Sequence, residues 1–356
     1  MKLIIDERLR EVDDVFFGVF KYLNLIRHVT PVNVEEQKEL FFLGKNRNPV
    51  FRYKLARTDI GKVRKMLKGL EISLTGFGNI YEQVRLDFLK RCDVIENIGV
   101  DDSVVKQLTS EIYGWPNREC LEYAKKILNE FLNVEVELDV PSCEICNSVK
   151  KMIDDLGLKD WEVKFSERWL TRTKYTKKIF VCERRKFSKL DVLRLPVHEV
   201  GVHAVRYENG YLQPLKIFGF GFPGFLSTEE GLATYFEEKT GNSSNQIFRN
   251  YAGRVVAIDC LRRELDFRDC YLQLKGYNFC DDDAWSLAVR VYRGGGFVKD
   301  HVYLEGYLQV KNFVNEGGDL KKLYVGKVGL DDLPLVEDLL DSGLINEPKF
   351  LPSFLS

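Results

Sequence analysis

Apolar residues recur every three to four positions through most of the chain, the spacing of a helix with one buried face. The N-terminal part reads this way over 6–28, 59–72, 79–95, 103–114 and 118–132. Pro and Gly interrupt the pattern at Asn48-Pro49, at Gly76 and Gly78, and at Trp115-Pro116-Asn117. VEVELDVP (134–141) has strand character and stops at Pro141. A soft boundary is expected there, between a helical N-terminal region, 1–140, and a second region, 141–356. The second region opens on a helix from Cys143 to Gly157. WEVKFSER (161–168) and KKIFVCER (177–184) have strand composition and pair as a hairpin or as neighbours in a small sheet. Helices are then predicted over 188–207, 228–240, 244–274, 281–293, 302–316 and 332–342. The expected class is α+β, mostly helical with a small sheet. No repeat or low-complexity tract interrupts it. RVYRGGGF (290–297) is a Gly-rich turn after a helix and lacks the strand–turn–helix order of a phosphate loop.

Composition narrows the function classes. The chain has 356 residues, 45% of them hydrophobic, enough to exclude a disordered polymer. Its 53 Lys and Arg balance 54 Asp and Glu, so no field of one sign is available for phosphate attraction, and no nucleic-acid partner is expected. No stretch approaches the roughly 18 uninterrupted apolar residues of a membrane span. Acids follow the short Leu3-Ile4-Ile5 run at once, unlike a secretory signal, so a cytoplasmic protein is expected. Eight cysteines without an export signal read as reduced thiols. Cys143 and Cys146 form a CxxC without a second pair, which reads as a helix-start pair ahead of a zinc site.

Two of the four histidines change the picture. LPVHEVGVHAVRY (195–207) places His198 and His203 five positions apart, with Glu199 beside the first. In the H-E-x-x-H arrangement a four-residue step puts both imidazoles on one helical face and the Glu serves as general base. Five steps rotate roughly 140°, which would splay the ligands on an ideal helix. One inserted residue held as a π-bulge restores a common face. Gly201 between the histidines and Pro196 upstream suit such an irregularity, and Ser188 with Asp191 can cap the start. The bland alternative is a buried helix with two satisfied histidines. FLSTEEGLATYFEEKTG (225–241) then supplies Glu229 and Glu230 near a helix start. Two His and one carboxylate with a fourth position open to water is a common hydrolytic zinc set. Glu230 is favoured as the carboxylate and Glu229 is the alternative; Ser227-x-x-Glu230 also reads as a capping box.

HEVGVH (198–203), AVRYENGYLQP (204–214) and STEEGLA (227–233) together resemble the microtubule-associated tyrosine carboxypeptidase family, whose prokaryotic relatives are often labelled by an "EGL" motif. RVYRGG (290–295), DHVYLEGY (300–307), NPVFRYK (48–54) and SEIYGWPNRECLEYAKKIL (110–128) extend the similarity over most of the chain. The resemblance implies a zincin-like metallopeptidase core in which His198, His203 and Glu230 bind one Zn2+ and Glu199 is the catalytic acid/base. Eukaryotic members remove a C-terminal tyrosine from tubulin tails. The long extra N-terminal regions of those members are absent here, which leaves microtubule binding in doubt. His301 stands where relatives are expected to carry an aliphatic residue.

A zinc carboxypeptidase acting on the C-terminal tail of a peptide or protein, removing a terminal tyrosine or another aromatic residue, is therefore the expected function. Its substrate must be held by the terminal carboxylate, which the planar fork of Arg suits. Arg290 and Arg293 lie three apart at a helix end and are the expected carboxylate readers, with Arg206 and Arg254 as alternatives. His301, Tyr303 and Tyr307 are candidates to stabilise the oxyanion. GFGFPGF (219–225) reads as a loop near the Glu230 helix. The competing readings are a zinc endopeptidase, which needs no carboxylate anchor, and a regulatory or binding protein that keeps a zinc site.

Overall fold

The computed structural model describes residues 5–54, 59–73, 76–167, 171–174 and 176–355. The chain forms two compact units. Unit one gathers Met1–Asp14, Val134–Ser244 and Gly306–Ser356; unit two gathers Val15–Asn133 and Asn245–Glu305. Helix dominates both, and the α+β class holds, with one small sheet. No helix among the described residues is long and apolar enough to cross a membrane.

In unit two the expected helices appear with two corrections. The 6–28 stretch is two helices, Glu7–Phe20 and Leu25–Val29. The N–H groups of Tyr22 and Leu23 turn back to the carbonyls of Val19 and Phe20 between them. The 244–274 stretch divides into Asn245–Arg262 and Phe267–Gly276. Glu264 adopts a left-handed φ of 60° at the break, and the Asp266 side chain accepts from the Asp269 N–H to start the second helix. A short helix, Val34–Phe42, escapes the periodicity reading because it spans little more than two turns. It delivers Phe41 edge-on to Phe267 and Tyr271 and against Trp285, an aromatic cluster at the centre of the unit.

Unit one carries the sheet. β1 (Glu162–Ser166) and β3 (Lys178–Cys182) are parallel neighbours, not a hairpin, and β2 (Thr171–Lys174) pairs antiparallel to β3 at its other edge. Arg168, the end of the expected 161–168 strand, lies outside the described residues. The 134–141 stretch does not join the sheet. Its Val134, Val136 and Leu138 are exposed, and only Val140 makes a bridge, to Phe187. Alternation alone makes no strand where no partner edge is offered. Cys143 and Cys146 sit in the first turns of the helix Ser142–Asp155 as free thiols.

One irregular helical run crosses this unit: Lys189–Pro196 as α-helix, Val197–Ala204 as π-helix, then Val205–Tyr211 as α-helix. The expected capping box at Ser188 and Asp191 starts it. The helix expected from 228 begins earlier, at Phe225, and ends at Lys239, after a short turn of helix, Ile217–Phe220, that runs into the first two residues of the 219–225 stretch read as a loop. Ser227 is consequently inside the helix, and its hydroxyl bonds Gln309 instead of forming the capping box. Gly231 explains what lies against this helix. A Cβ there would stand 2.3 Å from the Gly306 backbone, and a Cβ on Gly306 would stand 1.9 Å from the Ser227 carbonyl oxygen. Two glycines thus let the helix Val302–Asn315 touch the Phe225–Lys239 helix backbone to backbone.

Candidate metal centre

The π-helix solves the five-residue spacing. Its wider turn brings the imidazoles of His198 and His203 together, with ring centroids 4.7 Å apart and planes at 83°. Gly201 makes room on the opposite side. A Cβ there would lie 2.5 Å from the Phe354 ring, which stacks in turn on Phe236. The glycine between the histidines therefore serves close packing as much as backbone freedom.

Glu230 completes the cluster. Its Oε2 stands 3.6 Å from Nε2 of His198 and 3.6 Å from Nε2 of His203. All three side chains offer a ligand atom within 4.8 Å of one another. Both histidines and Glu230 are nearly withdrawn from solvent, at 10%, 13% and 8% side-chain exposure. A tetrahedron with bonds of about 2.0–2.1 Å has edges of about 3.4 Å, so the spacing suits one ion.

The outer partners fix which nitrogens face inward. His198 Nδ1 lies 2.7 Å from Glu237 Oε1, and His203 Nδ1 lies 2.9 Å from Glu229 Oε1. A carboxylate only accepts, so each Nδ1 carries the proton and each Nε2 presents its lone pair. Two lone pairs and a carboxylate oxygen then converge in a dry site, an arrangement that calls for a cation between them. Without a cation between them, burial opposes charge on His198, yet its hydrogen bonds to Glu230 and Glu237 carry its pKa up to about 10, so a bound cation would have to displace the proton from Nε2. The same balance raises His203.

The supporting carboxylates are anchored themselves. Glu237 accepts from Arg194, whose guanidinium also grips Asp191, the residue that caps the helix start. Glu229 pairs with Arg206 and lies 3.2 Å from Lys327 Nζ. Burial opposes its charge, and Lys327 and Arg206 nevertheless hold it well below the usual carboxylate range. Arg206 is completely buried and donates further to the carbonyls of Leu323 and Val328. Arg206, an alternative carboxylate reader on sequence grounds, is thus committed to this scaffold. Glu229 faces His203 from behind, in a supporting position, while Glu230 takes the inner one.

Glu199 sits on the π-helix next to His198, buried at 6% exposure. Its Oε2 accepts from the Thr173 N–H at 2.8 Å and meets the Thr173 hydroxyl at 2.6 Å. β2, a strand with no clear sequence signal, therefore holds one oxygen of this carboxylate.

The remaining candidates lie in unit two, except Tyr307, whose hydroxyl bonds Glu238 in unit one. Arg290 Nε reaches Asp300 Oδ2 at 2.7 Å, and Arg293 approaches the same oxygen at 3.8 Å. Burial opposes the Asp300 charge, but Arg290, Arg293 and Arg254 keep its pKa far below normal. Burial depresses Arg293 to about 10. His301 Nδ1 bonds the Val298 carbonyl and Nε2 stands 3.4 Å from Glu305 Oε2. Tyr303 stacks on Tyr251. Sequence reading missed Glu237, Arg194, Lys327 and Thr173 altogether. Only Glu237 had a signal, since it lies two helical turns beyond Glu230 and so shares its face.

The fold and the cluster define a mostly helical α+β protein with a buried His, His and Glu site able to hold a metal ion. The family model for the microtubule-associated tyrosine carboxypeptidase matches residues 38–356, and the chain belongs to that family. No curated protein matches it. Among solved structures, a crystal structure from Colwellia psychrerythraea described as a lipoprotein aligns at 13% identity with a TM-score of 0.39. The alignment covers 78% of this chain and 54% of that one, so the chain spans about half the length of that structure.

Proposed function

We propose that this protein is a zinc-dependent carboxypeptidase that removes the C-terminal residue, tyrosine or another aromatic, from a peptide or protein tail. The observation that carries the reading is the convergence of His198 Nε2, His203 Nε2 and Glu230 Oε2, each imidazole backed by its own carboxylate. Family membership supports the carboxypeptidase class. The π-helix beside the small sheet is read as a zincin-like core. His198, His203 and Glu230 hold one zinc ion and leave a position open, as catalytic sites do. When bound, zinc lowers the pKa of water towards about 7 and polarises the scissile carbonyl.

Glu199 is the general base. Thr173 fixes its Oε2, so Oε1 takes the proton of the attacking water and returns it to the leaving amine. Arg290, Arg293, His301 and Tyr303 are assigned to substrate binding. Arg293 supplies positive charge for a terminal carboxylate, Arg290 contributes by holding Asp300, and Tyr303 supplies an aromatic face.

Peptides differing only in the last residue, followed by mass spectrometry with and without chelator, test the reading. Loss of one C-terminal residue, abolished by chelator and restored by zinc, is expected. Glu199→Gln should retain zinc and lose about 100-fold or more in turnover. Wild-type turnover by that variant would remove Glu199 as the base. Equal cleavage of C-terminally amidated peptides would replace the carboxypeptidase with an endopeptidase.

A further inference from the structure

Arginines drawn into the interior differ, among the described residues, in how their donors are met. Arg206 has Glu229 and two carbonyls. Arg249 donates from its terminal nitrogens to the carbonyls of Leu128, Phe131 and Tyr277, although its Nε has no acceptor. Arg254, half-buried on the helix Asn245–Arg262, has neither hydrogen bond nor ion pair among the described residues. Its Nε is sealed from solvent with no acceptor. Its guanidinium carbon instead lies 4.9 Å from the Tyr251 ring centroid and 4.7 Å from that of Tyr303. Those two rings are parallel within 10°.

The surroundings add further positive charge around a single carboxylate. Arg293 lies over Phe297 at 5.0 Å, and its Nε is likewise buried with no acceptor. Lys299 Nζ lies 5.3 Å from the Tyr303 centroid. Asp300 is the carboxylate of this cluster, and it is taken up at 2.7 Å by Arg290. Burial and the nearby Arg290 lower the Arg254 pKa, and Asp300, which Arg254 shares with Arg290 and Arg293, offsets only part of that. Aromatic faces offset part of the desolvation of a cation but accept none of its five N–H groups in line. Unsatisfied buried donors on two neighbouring arginines are rare enough to require a ligand or ordered solvent.

We infer that unit two carries a carboxylate-binding site centred on Arg254, flanked by Arg293 and held in place by Tyr251 and Tyr303, and that it takes the C-terminal carboxylate of a peptide. The choice of a peptide carboxylate over another anion rests on the peptidase reading above; the presence of an anion site does not. Tyr251 and Tyr303 fix the guanidinium plane, so little conformational entropy is lost when a carboxylate docks on its fork. Arg290 acts one step away by holding Asp300.

Binding to the full-length, metal-loaded protein tests this. The probe is a fluorescent peptide ending in tyrosine whose last peptide nitrogen is methylated to block cleavage, offered as free acid and as C-terminal amide. The wild type should bind the acid about tenfold or more tightly than the amide. Arg254→Gln should erase that difference while leaving amide binding unchanged, which also shows that the variant is folded. Arg254→Lys should restore part of it. Equal binding of acid and amide by the wild type, or full discrimination by Arg254→Gln, overturns the inference. Acetate competing as strongly as the peptide acid overturns the peptide assignment. A protein that discriminates through Arg254 but hydrolyses no peptide keeps this inference and ends the peptidase reading. Removal of the C-terminal residue from free-acid peptides at a rate unchanged by Arg254→Gln does the reverse.

Discussion

At the scale of single residues, the site is defined by what stands behind the inner shell. Glu237 and Glu229 each turn an imidazole so that Nε2 points inward. Second partners of this kind are commonly worth about 10–100-fold in metal affinity. Glu237→Gln should therefore weaken zinc binding by about that factor in a chelator competition, because the amide can donate to Nδ1 and favour the wrong tautomer. Unchanged affinity would show that the Glu237 contact does not set the ring.

Glu305 is a residue-scale prediction of opposite character. Burial pushes its pKa up to about 6, although two contacts with Asn117 oppose the shift. His301 presents Nε2 as an acceptor 3.4 Å away, so a protonated Glu305 can donate to it. A raised carboxyl pKa stabilises the fold fully below the unfolded value of about 4.5, and this contribution is lost as pH rises through about 6. At pH 8 the buried charge then costs about 2 kcal/mol. Glu305→Gln should gain about 1–2 kcal/mol at pH 8 and nothing at pH 4, read from urea unfolding at the two pH values. An equal effect at both would mean that the carboxyl is not protonated in the fold.

At the scale of elements, the π-helix and the paired glycines matter most. The π-helix Val197–Ala204 converts a five-residue spacing into a shared face, and Phe354 fills the space over Gly201. Gly231 directly follows the inner carboxylate and lies against Gly306, so two backbones meet one residue from Glu230. Gly231→Ala should cost about 3 kcal/mol of stability by forcing those backbones apart, and the displaced Glu230 should weaken zinc binding with it. Denaturant midpoints and metal titration check both. A stable variant with normal zinc affinity would show that the contact is not structural.

At the scale of the molecule, the candidate metal site unites residues from three stretches of unit one. His198 and His203 come from one helical run, Glu230 from the helix Phe225–Lys239, and Lys327 from near the C-terminus braces Glu229. An ion that binds this arrangement only when folded stabilises it by mass action. Zinc at about 100 times its dissociation constant should add about 2.7 kcal/mol, seen as a melting temperature that rises with zinc and falls with chelator. A melting temperature indifferent to both would mean that no ion is held by the native fold.

The sequence by itself determined the helical periodicity, the capping box at Ser188 and the need for a π-bulge between His198 and His203. Each follows from local spacing, because backbone geometry and side-chain direction repeat over a few residues. The tertiary structure alone decided that Glu237, Arg194, Arg206 and Lys327 brace the cluster, that Thr173 grips Glu199, and that Arg254 stands without an acceptor while Arg290 serves Asp300. It also decided that the alternating 134–141 stretch stays out of the sheet. These contacts join residues tens to hundreds of positions apart, and which distant groups meet is set by packing, which no local period encodes.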